Sequence, residues 1–258
     1  MRRDDPLEKL TRGLTAAMAR TSIEYGVLEP GDRIAVAVSG GKDSYGLLYL
    51  LDDLRRRLAF RVELVAVHVS QGQPGVDAAP LRRWLEASGI PFEIAVENTY
   101  EIVRRNTREG ENPCPVCSRL RRGVLYTTAA RLGCNKLALG HHLDDALATL
   151  LMNLFYGGKL QSMPPKYRTD DGRLDVIRPL VEIEEESLRA LARLAEFPIV
   201  PCALCSGRDD SQRRRMNALI DGLADGDPRL KRVMLGALKN VRPTHLMDKT
   251  IARREEAT

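Results

Sequence analysis

Five continuous apolar runs, each followed by a stretch with helical spacing, constrain this chain more than any other feature. The runs cover residues 33–38, 62–69, 92–96, 136–139 and, more weakly, 176–180. A strand with one wet face alternates apolar and polar residues, whereas a strand covered on both faces reads as an unbroken apolar run. Helical patterns follow at 44–58, 77–88, 100–106, 118–132 and 143–155. Strand alternating with helix predicts an α/β fold, a doubly wound and mostly parallel sheet. Ahead of it, Leu7, Leu10, Leu14, Ala17 and Met18 predict an N-terminal helix packed on the outside.

The pattern changes after Gly157. Gly157-Gly158, Pro164-Pro165 and Asp170-Asp171-Gly172 mark a loop region, expected to hold a short hairpin rather than another crossover. Helical patterns then return at 184–196, 210–223 and 229–239. The expected organisation is an N-terminal helical segment (1–29), a nucleotide-binding α/β domain (30–180), a small helical C-terminal part (181–250) and a frayed tail (251–258).

Directly after the first apolar run stands Ser39-Gly40-Gly41-Lys42-Asp43-Ser44, just where a helix begins. Paired glycines let backbone N–H groups approach an anion, and the helix N-terminus adds partial positive charge. Lys42 adds a point charge for phosphate, Ser39 and Ser44 add hydroxyl donors, and Asp43 is a candidate Mg²⁺ ligand. The segment is not a Walker A loop, because Val36 stands where that motif needs glycine, and G-x-G-x-x-G cannot be threaded through it. A second segment, Gly140-His141-His142-Leu143-Asp144-Asp145, follows the fourth run and opens another helix. In a doubly wound sheet the loops after strands one and four can face each other at the switch point, where ligands bind. His68, on the second run, fits either a neighbour of a bound adenine or a core histidine.

Cysteine supplies the other chemistry. Cys114-Pro-Val-Cys117 and Cys202-Ala-Leu-Cys205 are separated by roughly 84 residues, and Cys134 follows Gly133 in an apolar pattern as a small core or helix-end residue. An odd count without an export signal argues against a disulfide framework. The residues leave three readings open: a tetrathiolate zinc site, a persulfide pair relaying sulfur, or an iron–sulfur cluster. A net charge of +5, with Arg119, Arg121 and Arg122 after one pair and Arg208, Arg213, Arg214 and Arg215 after the other, suits either a polyanion such as RNA or solvated helix faces. Aromatic residues at 5% do not suggest a base-stacking platform. With no apolar run near the roughly 18 residues of a membrane span, the chain reads as a soluble, cytoplasmic protein with no membrane partner.

SGGKDS resembles the pyrophosphate loop of the N-type ATP pyrophosphatases, which cleave ATP between the α and β phosphates. VENTYEIV, CPVCSRLRRGVLY, LALGHHLDD, NLFYGGKLQSMPPK, IRPL, FPIVPCALC and NVRPTHLMD follow in family order. The set, over about residues 30–248, is similar to the TtcA family of tRNA 2-thiocytidine synthetases. A related thiouridine synthetase family normally adds cysteine pairs at both chain ends, which this sequence lacks. The resemblance implies that Ser39, Gly40, Gly41, Lys42, Asp43 and Ser44 hold the ATP phosphates, with Asp43 near Mg²⁺. It implies that Gly140, His141, Asp144 and Asp145, with His68, complete the nucleotide pocket. It implies a [4Fe–4S] cluster on Cys114, Cys117 and Cys202, with Cys205 unassigned. Lys42, Asp43 and the three cysteines are then the catalytic set. Its implied partners are tRNA, a sulfur donor such as a cysteine desulfurase, and a second copy of the chain. Thiolation of a uridine, or nucleotide and RNA binding on a zinc-stabilised frame, are the alternatives.

Overall fold

The computed structural model describes residues 5–108, 113–200 and 212–247. Helix α1 (Pro6–Tyr25) is capped by Asp5, whose side chain accepts from the Leu7 N–H at 2.9 Å, and it stops at Gly26 in the left-handed conformation. The chain then alternates through β1 (Arg33–Ala37), α2 (Lys42–Arg55), β2 (Glu63–Ser70), α3 (Ala79–Ser88), β3 (Phe92–Val96), α4 (Thr99–Arg105), α5 (Cys114–Arg131), β4 (Lys136–Ala138) and α6 (Leu143–Met152). A π-helical turn (Asn153–Gly157), β5 (Lys166–Arg168), β6 (Asp175–Ile177), α7 (Glu185–Leu194), α8 (Gln212–Ala224) and α9 (Leu230–Lys239) follow. Among the described residues no helix is long and apolar enough to cross a membrane.

The sheet runs β3-β2-β1-β4-β6-β5 and is parallel except for β5. Its inner strands β1, β2, β4 and β6 are mostly apolar because both faces are covered. Ile34, Val36, Leu64 and Ala66 face a core built with α1, α2, α3 and α7. Ala35, Val65, Val67 and Leu137 face a second core with Leu125 and Ala129 of α5 and with Cys134. Burial pushes the Cys134 thiol pKa up, in keeping with a core residue. A third cluster seats the C-terminal helices: Leu143 and Leu147 of α6 meet Ile220 of α8 and Met234, Leu235 and Leu238 of α9.

Among the differences from the sequence expectation, three bear on how the site is framed. Helix α5 begins at Cys114, four residues earlier than its apolar pattern, because Pro115 lies in the first turn, where a missing N–H costs nothing. Helix α6 ends at Met152 and passes into the π turn. The hairpin after Gly157 is present, but its second strand also pairs parallel with β4, so α6 and the hairpin together make a further crossover.

One charged group is embedded in the base of this sheet. Lys136 is 1% exposed, and its Nζ donates to the Val27 carbonyl (3.1 Å), Glu29 (2.6 Å) and Asp32 (2.7 Å). Asp32 is itself buried. Lys136→Ala would leave that carboxylate without its main partner and should cost about 3–5 kcal/mol in chemical denaturation. Hydrogen bonds from Lys136 and then Lys166 hold the Glu29 carboxyl down from 4.5 to about 2. A depressed acid stabilises the fold above its unfolded value. The Glu29 contribution should therefore be complete above pH 4.5 and fade as pH falls towards about 2, read from denaturation midpoints across that range.

Candidate active site

Strand order reverses between β1 and β4, and the loops after these two strands form the crevice. After β1 the chain turns through Ser39, Gly40 and Gly41 into the N-terminus of α2. Gly40 has φ +89°, and a Cβ there would lie 3.1 Å from Val200 Cβ. The Val200 N–H donates to the Gly40 carbonyl at 2.9 Å, so the chain leading to the second cysteine pair is bonded to the glycine turn. Ser44 Oγ donates to the Gly41 carbonyl (2.8 Å) and accepts from the Ser39 N–H (3.0 Å). Ser39 Oγ and Ser44 Oγ are 3.2 Å apart. The two hydroxyls expected as phosphate donors thus first hold the turn in shape.

The loop after β4 comes against this turn at Gly140. A Cβ on Gly140 would meet the Asp43 carbonyl oxygen at 3.1 Å, its carbon at 3.2 Å and the Ser44 nitrogen at 3.3 Å. Only a hydrogen fits there without moving backbone. His142, buried at the start of α6, then stands among carboxylates: its Nε2 is 3.5 Å from Asp145 and 3.9 Å from Asp43, and its Nδ1 is 3.6 Å from Asp144. Burial opposes its charge, but the carboxylates of Asp144, Asp145 and Asp43 outweigh burial and raise its pKa. His141 goes the other way. Burial lowers it to about 4, and its Nδ1 has no hydrogen-bond partner.

Every carboxylate of the crevice is close to a cationic group. Lys42 lies 3.0 Å from Asp43 and 2.6 Å from Glu185, Arg213 lies 2.7 Å from Asp145, and Lys231 lies 2.7 Å from Asp144. Burial, against the pull of Lys42 and His142, raises the Asp43 pKa, and Asp43 Oδ1 is buried with no hydrogen-bond partner. Asp144 is held well below the usual carboxylate range. Burial opposes this, and the His142, Lys231 and Glu185 backbone contacts outweigh it. Among the described residues no three His, Cys, Asp or Glu side chains are arranged as a metal site.

Beside the turn lies a cavity of about 410 Å³, lined by Ser39, Gly41, His68, Gln71, Arg121 and Val200 among others. His68 donates from Nδ1 to the Val38 carbonyl at 2.8 Å, and burial lowers its pKa, which keeps the ring neutral. Gln71, in the cavity wall, donates from Nε2 to Cys117 Sγ at 3.1 Å and to Thr99 Oγ1 at 3.2 Å. A wall residue of the cavity beside the glycine turn is thus in contact with Cys117. Cys114 opens α5 and Cys117 stands one turn on. Cys202 and Cys205 lie outside the described residues, as does Arg208.

A switch-point crevice with a strand–glycine turn–helix on one side and an acidic loop on the other defines a PP-loop nucleotide-binding protein. The PP-loop domain family matches residues 10–200. The tRNA-cytidine(32) 2-sulfurtransferase of Anaeromyxobacter sp. (strain Fw109-5) is 49% identical over 96% of this chain and 82% of its own. That of Neisseria gonorrhoeae (strain NCCP11945) is 47% identical over 93% of this chain and 75% of its own. Among solved structures, the U34-tRNA thiolase NcsA from Methanococcus maripaludis with its [4Fe-4S] cluster superposes with a TM-score of 0.71. It is 25% identical and covers 92% of this chain and 81% of that one. This chain belongs to the tRNA-cytidine(32) 2-sulfurtransferase family.

The structure brings Ser39, Gly40, Gly41, Lys42, Asp43, Ser44, Gly140, His141, Asp144 and Asp145 to one crevice, with His68 in the wall of the adjoining cavity and Cys117 in contact with Gln71 of that wall. Sequence reasoning did not find Glu185, Gln71 or Lys231, and it noted Arg213 only within a basic run. Their partners are 68 to 87 positions away for the two cations and 46 for Gln71. No local pattern marks them. Gly140→Ala should force the loops apart and weaken ATP binding by about 1–3 kcal/mol, a factor of about 5 to 150 in Kd by calorimetry.

Proposed function

We propose that this chain uses ATP and Mg²⁺ to replace the C2 oxygen of cytidine 32 in a tRNA anticodon loop with sulfur. The observation that carries this is the single cavity running from the phosphate turn at Ser39 and Gly41 to Gln71, which touches Cys117. Relatives at 46–49% identity carry the cytidine name, while the U34 thiolase stands at 25%, so cytidine rather than uridine is the proposed target.

The oxygen at C2 of cytosine is a poor leaving group. Its attack on the α-phosphate of ATP releases pyrophosphate and makes the oxygen part of an adenylate. A sulfur nucleophile then adds at C2, and the C–O bond breaks to release AMP. Backbone N–H groups of the glycine turn, the α2 N-terminus and Lys42 would take the charge that develops on pyrophosphate. Asp43, with its unpartnered buried oxygen, and the neighbouring Asp145 suit a Mg²⁺ that completes its shell from phosphate oxygens. Neutral His68 suits the adenine side of the cavity.

Cys114, Cys117 and Cys202 would hold a [4Fe–4S] cluster. The first two lie in the opening turn of α5, whose N-terminus favours anionic ligands, and Gln71 already donates to one of them. With three thiolate ligands, such a cluster supplies one iron with an open position for a sulfur species. Exposed Arg119 and Arg122 on α5 would guide the tRNA backbone towards it. The sulfur donor would be a partner such as a cysteine desulfurase, with a thiol reductant supplying the two electrons that bring persulfide sulfur to the sulfide level, and the working unit a cytoplasmic homodimer. In the proposed division of the chain, 30–180 carries both loops, while 181–250 contributes Glu185, Arg213 and Lys231 to the same crevice.

Lys42→Ala should abolish ATP-dependent thiolation while anaerobically purified protein stays brown; unchanged activity would remove Lys42 from the mechanism. Cys114→Ala should lose the visible-range absorbance, and retained absorbance would exclude it as a ligand.

A further inference from the structure

Lys42, the proposed phosphate ligand, is tied to a second helix. Its Nζ is 2.6 Å from Glu185 Oε1, closer than the 3.0 Å to Asp43. Glu185 is the first residue of α7, and two contacts keep it in place. Arg189, one turn on, lies 3.0 Å from the same carboxylate, and the Glu185 N–H donates to Asp144 Oδ2 at 2.7 Å. Helix α7 is itself anchored in the main core by Leu188 and Leu191, both fully buried, which lie against Gly46 of α2. This carboxylate therefore cannot follow Lys42 when the lysine turns elsewhere.

A triphosphate entering the glycine turn must draw Lys42 from Glu185 and then lie near a carboxylate that keeps only Arg189 as its partner. The same geometry assists release: once pyrophosphate is free of the α-phosphorus, Glu185 competes for Lys42 again. We propose that Glu185 is a positioning residue that holds Lys42 between turnovers and weakens the grip on ATP and pyrophosphate, so that product leaves. This rests on the reading of Lys42 as a phosphate ligand.

The test is titration calorimetry with Mg²⁺ on the anaerobically purified full chain, using ATP and inorganic pyrophosphate as separate probes. Glu185→Gln keeps the shape and removes the charge. It should tighten both ligands by about three- to tenfold, the scale of one half-exposed ion pair. The turnover rate should fall, because pyrophosphate leaves more slowly, so kcat and the KM for ATP decrease together. Glu185→Ala should move affinity in the same direction, which guards against an effect peculiar to glutamine. In a Lys42→Gln background the gain should vanish, since Glu185 acts through that lysine.

A merely structural role predicts weaker binding and a lower thermal midpoint. Weaker or unchanged affinity in Glu185→Gln, or an equal gain in the Lys42→Gln background, overturns the proposal. If wild-type protein binds neither probe, the nucleotide reading fails, and this proposal with it. If wild type binds both and the variant does not tighten, only the role of Glu185 fails.

Discussion

The contact between Gly140 and the peptide joining Asp43 to Ser44 is the constraint on which the site depends. It sets the spacing of the two loops at the switch point, so it also sets where Lys42, Asp43, His142, Asp144 and Asp145 stand relative to one another. A methyl group there would lie 3.1 Å from a carbonyl oxygen, so the backbone would have to give by a few tenths of an ångström. The rest of the fold brings this contact about. β1 and β4 are adjacent and parallel, α2 and α6 start at their carboxyl ends, and both sheet faces are packed so that neither strand can shift.

Around that contact the charges are already matched. Asp43, Asp144, Asp145 and Glu185 face Lys42, Lys231, Arg213 and Arg189, with His142 in the middle. A crevice so arranged is nearly neutral before any ligand arrives. Binding of a magnesium–triphosphate would then be an exchange of partners. The cation would take carboxylates, the phosphates would take ammonium and guanidinium groups, and no charge would be left buried alone. The paired histidines fit this picture. His142 lies among carboxylates, which favour its charged form, while the half-buried His141 is pushed towards its neutral form.

The sheet was legible because its strands are buried on both faces. An unbroken run such as Ile34-Ala35-Val36 feeds two cores at once, and the residue type alone says so. The glycine turn was legible because its pattern is local: six consecutive residues make the whole turn between β1 and α2. What stayed hidden is non-local. Glu185 reads as an ordinary first-turn acid in a run of three, and its contact with Lys42 exists only because α7 packs on α2. Lys231 and Arg213 reach Asp144 and Asp145 only because α8 and α9 settle on α6. The start of α5 was misplaced because Pro115 reads as a break, although in the first turn proline extends a helix backwards. Asp175–Ile177 looked weak because a three-residue strand carries little pattern, yet it joins the parallel sheet next to β4.

The central claim is chemical: the cytidine C2 oxygen leaves as part of AMP. A single-turnover reaction with tRNA carrying ¹⁸O at C2 of that cytidine tests it directly, with AMP and pyrophosphate analysed by mass spectrometry. The account requires the label in the AMP phosphate, one oxygen for each 2-thiocytidine formed. Label appearing in water or in pyrophosphate, with AMP unlabelled, would contradict it.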